Sequence, residues 1–445
     1  MKAFHAYDIR GIYDVEFDRN DVYRIGYFIP VLLKTNRVLV GRDVRVSSDE
    51  IFEYLCRGIN DSGADVWNLG LSTTPMVYYY TAKHGFDASV MITASHNSKE
   101  YNGMKISATG ALPVGYDTGL KELERMMNEE PVVVSKEKGR IIDFDDHTDY
   151  LDFLKGYSPD LTGMRIAVDC SNGMAGLLIK KILGDSPVYI YDDLDGTFPN
   201  HEANPLIQEN VEDLKKMVTQ EKCDIGIIFD GDADRVMFVD EKGRFISPDL
   251  MIAVIGHYFL DKLKGNVLQD IRTSKAVGEY IQKMGGTMHT WRVGRAFAAL
   301  KLREIDGIFG GELAGHYYFR DFYYSDSGML ACLIILEVVS RMKKKGIKVS
   351  EMIAGITSYA NSGEINFRIS EKKEAMDELK DYFSQTESPS AFYDFDGYRL
   401  EFKDWWFNIR PSNTEPYLRF LAEASSEELL KSKVAEVRRI ISRFD

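Results

Sequence analysis

Four polar loops hold the residues of this chain whose types and spacing could do chemistry. The first is Ala94-Ser95-His96-Asn97, which follows the apolar run Ala88–Thr93. A buried strand ending there delivers a serine hydroxyl to the carboxyl end of a sheet, where open α/β folds bind their ligands. With His96 and Asn97 beside it and Lys105 further on, Ser95 can carry a covalent group. The second loop, Asp230-Gly231-Asp232-Ala233-Asp234-Arg235, follows the apolar stretch Ile225–Phe229. Alternate residues of extended chain share a face, so Asp230, Asp232 and Asp234 gather three like charges that need a cation. Oxygen ligands alone suit Mg²⁺ or Ca²⁺, and Arg235 adds a positive fork for phosphate. An EF-hand would also accept the three aspartates, with Glu241 in the twelfth place, but Arg235 stands in the sixth, where Gly is needed. A solvated acidic turn is the plainest alternative.

The third loop is Gly311-Glu312-Leu313-Ala314-Gly315-His316. Glu312 can accept from two sugar hydroxyls, and His316 can move a proton near neutral pH. A lone histidine after a strand is more often structural. In the fourth, Arg410-Pro411-Ser412-Asn413-Thr414, guanidinium, hydroxyl and amide donors share one turn and form an anion cradle. A plain polar turn is its alternative reading.

These loops need a scaffold of short strands. Candidate strands are Arg37–Val40, Ala64–Leu69, Ser89–Thr93, Met164–Asp169, Asp224–Asp230, Val236–Asp240, Asn266–Gln269 and Gly307–Gly310. They alternate with helical patterns, which predicts α/β layers with mixed, largely parallel sheets. One helix is well marked: Ser325 or Asp326 caps it, Leu330–Val339 is its buried body, and Gly346 stops it. After a polar link at Ser358–Gly363 the pattern changes to Ile365–Ile369, a helix from Glu371, a hairpin at Asp396-Gly397, then Trp405–Ile409 and Leu418–Ala422. A last helix begins at Ser425, with Glu428 completing a capping box. The expected architecture is three similar α/β domains, 1–150, 151–250 and 251–360, and a smaller α+β domain, 361–445, around a central cleft. The cradle's place in a separate domain after a polar link suggests that this domain closes over the site.

The chain has 445 residues, 44% of them hydrophobic and 28% charged, an ordinary balance for a globular protein. A net charge of −14 disfavours nucleic acid and membrane surfaces as partners. A small anionic substrate remains compatible, because charges beyond about 8–10 Å are screened. Cys56, Cys170, Cys223 and Cys332 form no C-x-x-C pair and read as free core thiols. With no signal-peptide pattern, a cytoplasmic location is expected.

Taken together and in this order, the four loops resemble the α-D-phosphohexomutase family. Further matches are Tyr7-Asp8-Ile9-Arg10-Gly11, Gly41-Arg42-Asp43-Val44-Arg45, Tyr101–Lys105, Asn204-Pro205-Leu206 and Tyr318–Phe322. The similarity is greatest to the phosphomannomutase/phosphoglucomutase branch. It implies an isomerase that interconverts mannose 1-phosphate and mannose 6-phosphate and also accepts glucose phosphates. Ser95 would be carried as phosphoserine, and it would hold one Mg²⁺ together with Asp230, Asp232 and Asp234. A hexose 1,6-bisphosphate would serve as intermediate and primer. Tyr7, Arg235, Lys275, Arg295, Glu312, Ala314 and His316 would contact the sugar phosphate. Arg410, Ser412, Asn413 and Thr414 would grip the phosphate that is not reacting. His96, Lys105, Arg10 and His316 would stand near the reacting oxygen, with Lys105 favoured as base if Arg10, Arg235 and Mg²⁺ depress its pKa. The resemblance leaves monomer and homodimer both open. Three residues depart from the branch: Ala314 replaces Ser, Ser98 replaces a Pro and is expected to loosen its turn, and Arg295 replaces His. Alternatives are a phosphoglucomutase, a phosphoglucosamine mutase, a sugar-phosphate phosphatase and a silent sugar-phosphate binder.

Overall fold

The computed structural model describes residues 2–144, 147–357, 359–412 and 417–444. It contains four sheets, of seven, five, five and six strands. The first three repeat one arrangement. In the first, Arg37–Arg42 lies between Asp65–Leu71 and Ala88–Ile92, all parallel, and Tyr101–Ala108 returns antiparallel beside Ala88–Ile92. In the second, Ile166–Asp169 lies between Val188–Ile190 and Ile225–Phe229, and Val236–Asp240 returns. In the third, Asn266–Asp270 lies between Thr287–Trp291 and Phe309–Gly311, and Tyr317–Phe319 returns. The sheets are thus mixed, with parallel strands at the core and antiparallel strands at one side. This order of strands is the repeat that the residues themselves do not display.

The turn between the last parallel strand and the returning strand is, each time, one of the polar loops. Each of the three loops also contains a left-handed residue: Ser95 at φ 51°, Ala233 at φ 60° and Gly315 at φ 84°. The second loop joins antiparallel strands in register Phe229↔Val236, so it is a hairpin and not an EF-hand.

The apolar helix is Gly328–Lys344, and 12 of its 17 residues are buried. Its first half, residues 328–336, is apolar on every face because it packs inside the core shared by the second and third sheets. Its cap is Ser327, whose side chain accepts from Leu330 N. Ser325 and Asp326 do not cap it, because they form a short strand paired with Tyr318 and Phe319. The last helix is Glu427–Ile441, capped by Ser426 instead of Ser425. The fourth sheet is antiparallel, and with two helices it encloses a core of its own around Phe383, Trp405 and Phe407. Gly397, at φ 70°, makes the hairpin turn. The four cysteines are buried and free. No described helix is long and apolar enough to cross a membrane.

Candidate active site

The serine loop is held by its backbone. The buried Arg45 guanidinium donates to four carbonyls of that loop: Ser95 O at 2.8 Å, Asn97 O at 2.7 Å, Ser98 O at 2.7 Å and Tyr101 O at 2.9 Å. Asp43 receives its Nε at 3.2 Å. The Ser98 carbonyl, which any residue would present there, is thus pinned by Arg45. Ser95 N donates to Thr93 Oγ1 at 2.9 Å, and the left-handed backbone turns the Ser95 side chain toward the second domain. A serine with positive φ is strained unless its surroundings hold it there. Arg45→Met is expected to cost the first domain about 3–5 kcal/mol, because Asp43 is left buried without its cation. Urea unfolding read by hydrogen exchange in strand Ala88–Ile92 checks this.

Ser95 Oγ donates to Asp230 Oδ2 at 2.8 Å and lies 3.4 Å from His96 Nδ1. Burial, reinforced by Arg235 and Arg10, holds the His96 imidazole well below its usual pKa. Asp230, Asp232 and Asp234 are fully buried, and their oxygens lie within 4.8 Å of one another. The loop that carries them is tight: a Cβ on Gly231 would come within 2.5 Å of Ser95 O. Burial, then Asp234 and Asp232, push the Asp230 carboxyl well above its ordinary range. Among the described residues, Asp232 Oδ1 and Asp234 Oδ1 accept no hydrogen bond. Buried carboxylate oxygens without partners, in an all-oxygen set, fit a hard divalent cation such as Mg²⁺.

Lys105 reaches the same cluster. Its Nζ donates to Asp232 at 2.7 Å and to Asp234 at 2.5 Å. Burial alone would lower its pKa, but Asp232 and Asp234 outweigh burial and hold the ammonium above its ordinary range. Arg10 donates to Asn97 Oδ1 at 2.7 Å and pairs with Asp8.

His316 stands opposite. Its Nδ1 lies 2.7 Å from Asp326 Oδ2, and its Nε2 lies 2.9 Å from Arg235 Nε. Arginine can only donate, so Nε2 carries the lone pair and Nδ1–H faces Asp326. Arg295 also pairs with Asp326, at 3.3 Å, and its guanidinium lies 3.7 Å from the centre of the Tyr78 ring. Glu312 is buried and accepts from Tyr318 at 2.7 Å and from Gly294 N at 3.3 Å. Burial raises its pKa.

Two cavities meet at this point. A chamber of about 150 Å³ is lined by Tyr7, Arg10, Lys105, Arg235, Arg295, Glu312 and His316. A larger cavity of about 440 Å³ carries Arg410 and Arg419 from the fourth domain. Arg272 and Ala314 line both. Ala314 has no hydroxyl to offer at this junction.

Lys275 is not brought into either lining. It opens the helix Lys275–Lys283 and donates to Phe402 O at 2.8 Å. The basic group that this segment sends to the cleft is Arg272, held in a fork by Asp270 at 2.7 and 3.1 Å and lying 3.9 Å from Glu312. Arg45, Arg272, Asp326 and Arg419 are among the residues that reasoning from sequence did not place in the site. Ser412 N donates to Tyr417 O at 2.9 Å. Asn413 and Thr414 lie outside the described residues.

Family models match the chain in order. They are the phosphoglucomutase/phosphomannomutase alpha/beta/alpha domain I over residues 1–132, domain II over 148–243, domain III over 247–359, and the C-terminal domain over 364–440. A phosphomannomutase of Methanocaldococcus jannaschii is 36% identical, covering 100% of this chain and 98% of that protein. One of Escherichia coli K12 is 36% identical, covering 96% of each. Among solved structures, a phosphoglucomutase/phosphomannomutase family protein from Burkholderia thailandensis superposes with a TM-score of 0.89 at 26% identity, covering 99% of this chain and 97% of that one.

Proposed function

The chain belongs to the phosphoglucomutase/phosphomannomutase family of phosphohexomutases, and on that premise we propose that it interconverts mannose 1-phosphate and mannose 6-phosphate and also turns over glucose phosphates. The observation that carries the reading is Ser95 Oγ at 2.8 Å from Asp230, in a buried all-oxygen cluster whose Asp234, with Lys105 bound to it, also lines the polar chamber.

Ser95 is the phosphoryl carrier. Asp230, Asp232 and Asp234, with the phosphate on Ser95, would hold Mg²⁺, which supplies Lewis-acid neutralisation of charge on the moving group. His316 Nε2 takes the proton of the accepting sugar hydroxyl as that oxygen bonds to phosphorus and the bond from phosphorus to Ser95 Oγ breaks. Asp326 holds the tautomer whose Nε2 lone pair accepts from Arg235 Nε, and that bond must give way before Nε2 takes the sugar proton. Lys105 and Arg10 stay cationic and balance charge on the phosphoryl oxygens. The sugar bisphosphate turns over, its other phosphoryl group passes to Ser95 Oγ, and His316 returns the proton. Glu312 grips sugar hydroxyls in either pose. Arg272 and Arg410, with Ser412, Asn413 and Thr414, grip the phosphate at rest.

Mannose and glucose differ in one hydroxyl, so a hydrogen bond of about 1–2 kcal/mol decides preference. Ala314 supplies none, which favours tolerance at that carbon. Both 1-phosphates are therefore expected to be converted, with kcat/KM values within about tenfold of each other. The check is a Mg²⁺-dependent assay primed with a trace of hexose bisphosphate. Release of inorganic phosphate without isomerisation would instead make the protein a phosphatase.

A further inference from the structure

The Asp396-Gly397 hairpin has no part in the chemistry above, yet it touches the loops of the chamber from outside. Asp396 Oδ2 accepts from Val293 N at 2.8 Å, and Phe395 packs on Trp291 with ring centres 5.2 Å apart. Arg399, just past the turn, is fully buried. Its Nη1 donates to Ile271 O at 2.8 Å and to Thr273 O at 2.6 Å, the two carbonyls that flank Arg272. Glu401 receives its Nε at 2.8 Å, and its guanidinium lies 3.9 Å from the centre of the Trp406 ring. The strand Tyr398–Glu401 that carries Arg399 pairs with Trp405–Pro411, which brings Arg410 to the larger cavity.

One ribbon of the fourth domain thus points Arg410 at the ligand and grips two loops of the third domain. Those loops present Arg272 and the Val293–Arg295 wall of the chamber. Both Nη1 bonds of Arg399 cross the domain boundary, whereas an arginine serving only its own domain would spend its donors there. We infer that Asp396 and Arg399 are positioning residues, through which seating of the fourth domain sets Arg272 and the 293–295 loop for the sugar phosphate in either orientation. This rests on the hexose-phosphate reading.

The test uses full-length wild type, Arg399→Met, Arg399→Lys, Asp396→Ala and Asp396→Asn. Calorimetric binding of mannose 1-phosphate and mannose 6-phosphate is measured, together with steady-state kinetics and hydrogen exchange at residues 292–295. Arg399→Met and Asp396→Ala should weaken binding of both phosphates about tenfold and raise KM to match, with kcat within about threefold. Exchange at 292–295 should quicken in Asp396→Ala. Asp396→Asn still accepts from Val293 N, and the Arg399→Lys ammonium can still donate to the loop carbonyls, so both should stay within about threefold of wild type. A lowered melting temperature with unchanged KM and unchanged exchange would make the two residues merely structural and overturn the inference. Should Arg399→Met fail to fold, Asp396→Ala decides alone, because Asp396 is half-buried at a turn and outside the core of its domain. Wild type that binds no hexose phosphate sinks the reading of function, and the exchange data still judge the inference.

Discussion

Ser95→Ala is expected to lower mutase turnover by about 10⁴-fold, to abolish transfer of labelled phosphoryl groups onto the protein, and to leave hexose-phosphate binding within a few-fold. The separation follows from geometry. The Ser95 hydroxyl touches Asp230 and lies near His96, while the groups proposed to grip the sugar phosphate, Glu312, Arg272 and Arg410, lie on other loops. The loop itself should survive, because Arg45 holds it by carbonyls that alanine also presents. Alanine at φ 51° keeps the strained backbone without the hydroxyl that the strain serves. Rapid-quench labelling with hexose bisphosphate and calorimetry on the same sample give the two readings. Full turnover in the alanine variant would remove Ser95 from the chemistry and the phosphoryl-carrier reading with it.

The parts of this site that were legible in the sequence share one property: their signal is local. Apolar runs of four to six residues ending in polar loops revealed the strands, and the three alternating aspartates pointed to the buried carboxylate cluster. The missed residues act through distant or backbone partners. Arg45 serves four carbonyls some fifty residues away, which no spacing of side chains encodes. Asp326 reads as a helix cap until the two-residue strand that it forms turns it toward His316. Lys275 resembles a substrate contact by its place in the segment, but the helix that begins there directs it to Phe402 O and leaves Arg272 facing the cleft. The threefold pattern of elements was legible, but no residue-level repeat accompanies it, because strand order repeats while the loop residues diverge with the task of each loop.

Asp232→Asn is expected to weaken Mg²⁺ binding at least about tenfold and to lower kcat/KM about 10²–10³-fold. Lys105 is what makes this prediction specific to the present arrangement. Without a divalent ion the ammonium is shared between Asp232 and Asp234, so it balances part of the charge that the ion would neutralise. The ion can take the two Oδ1 atoms that accept no hydrogen bond while the ammonium keeps the Oδ2 atoms, so the two cations repel each other across the same carboxylates. Asp232→Asn removes a carboxylate charge from both the ion and the ammonium. Lys105→Met removes only the competitor. The two variants should move in opposite senses when Mg²⁺ is added: the rise in melting temperature should be smaller than wild type for Asp232→Asn and larger for Lys105→Met. Lys105→Met should nonetheless lose activity, because the cation that balances the phosphoryl oxygens is gone. Tighter Mg²⁺ binding joined to slower turnover would separate charge balance on the moving phosphoryl group from retention of the ion. Equal Mg²⁺ shifts in all three proteins would place the cation away from Asp232 and undo the assignment of this cluster.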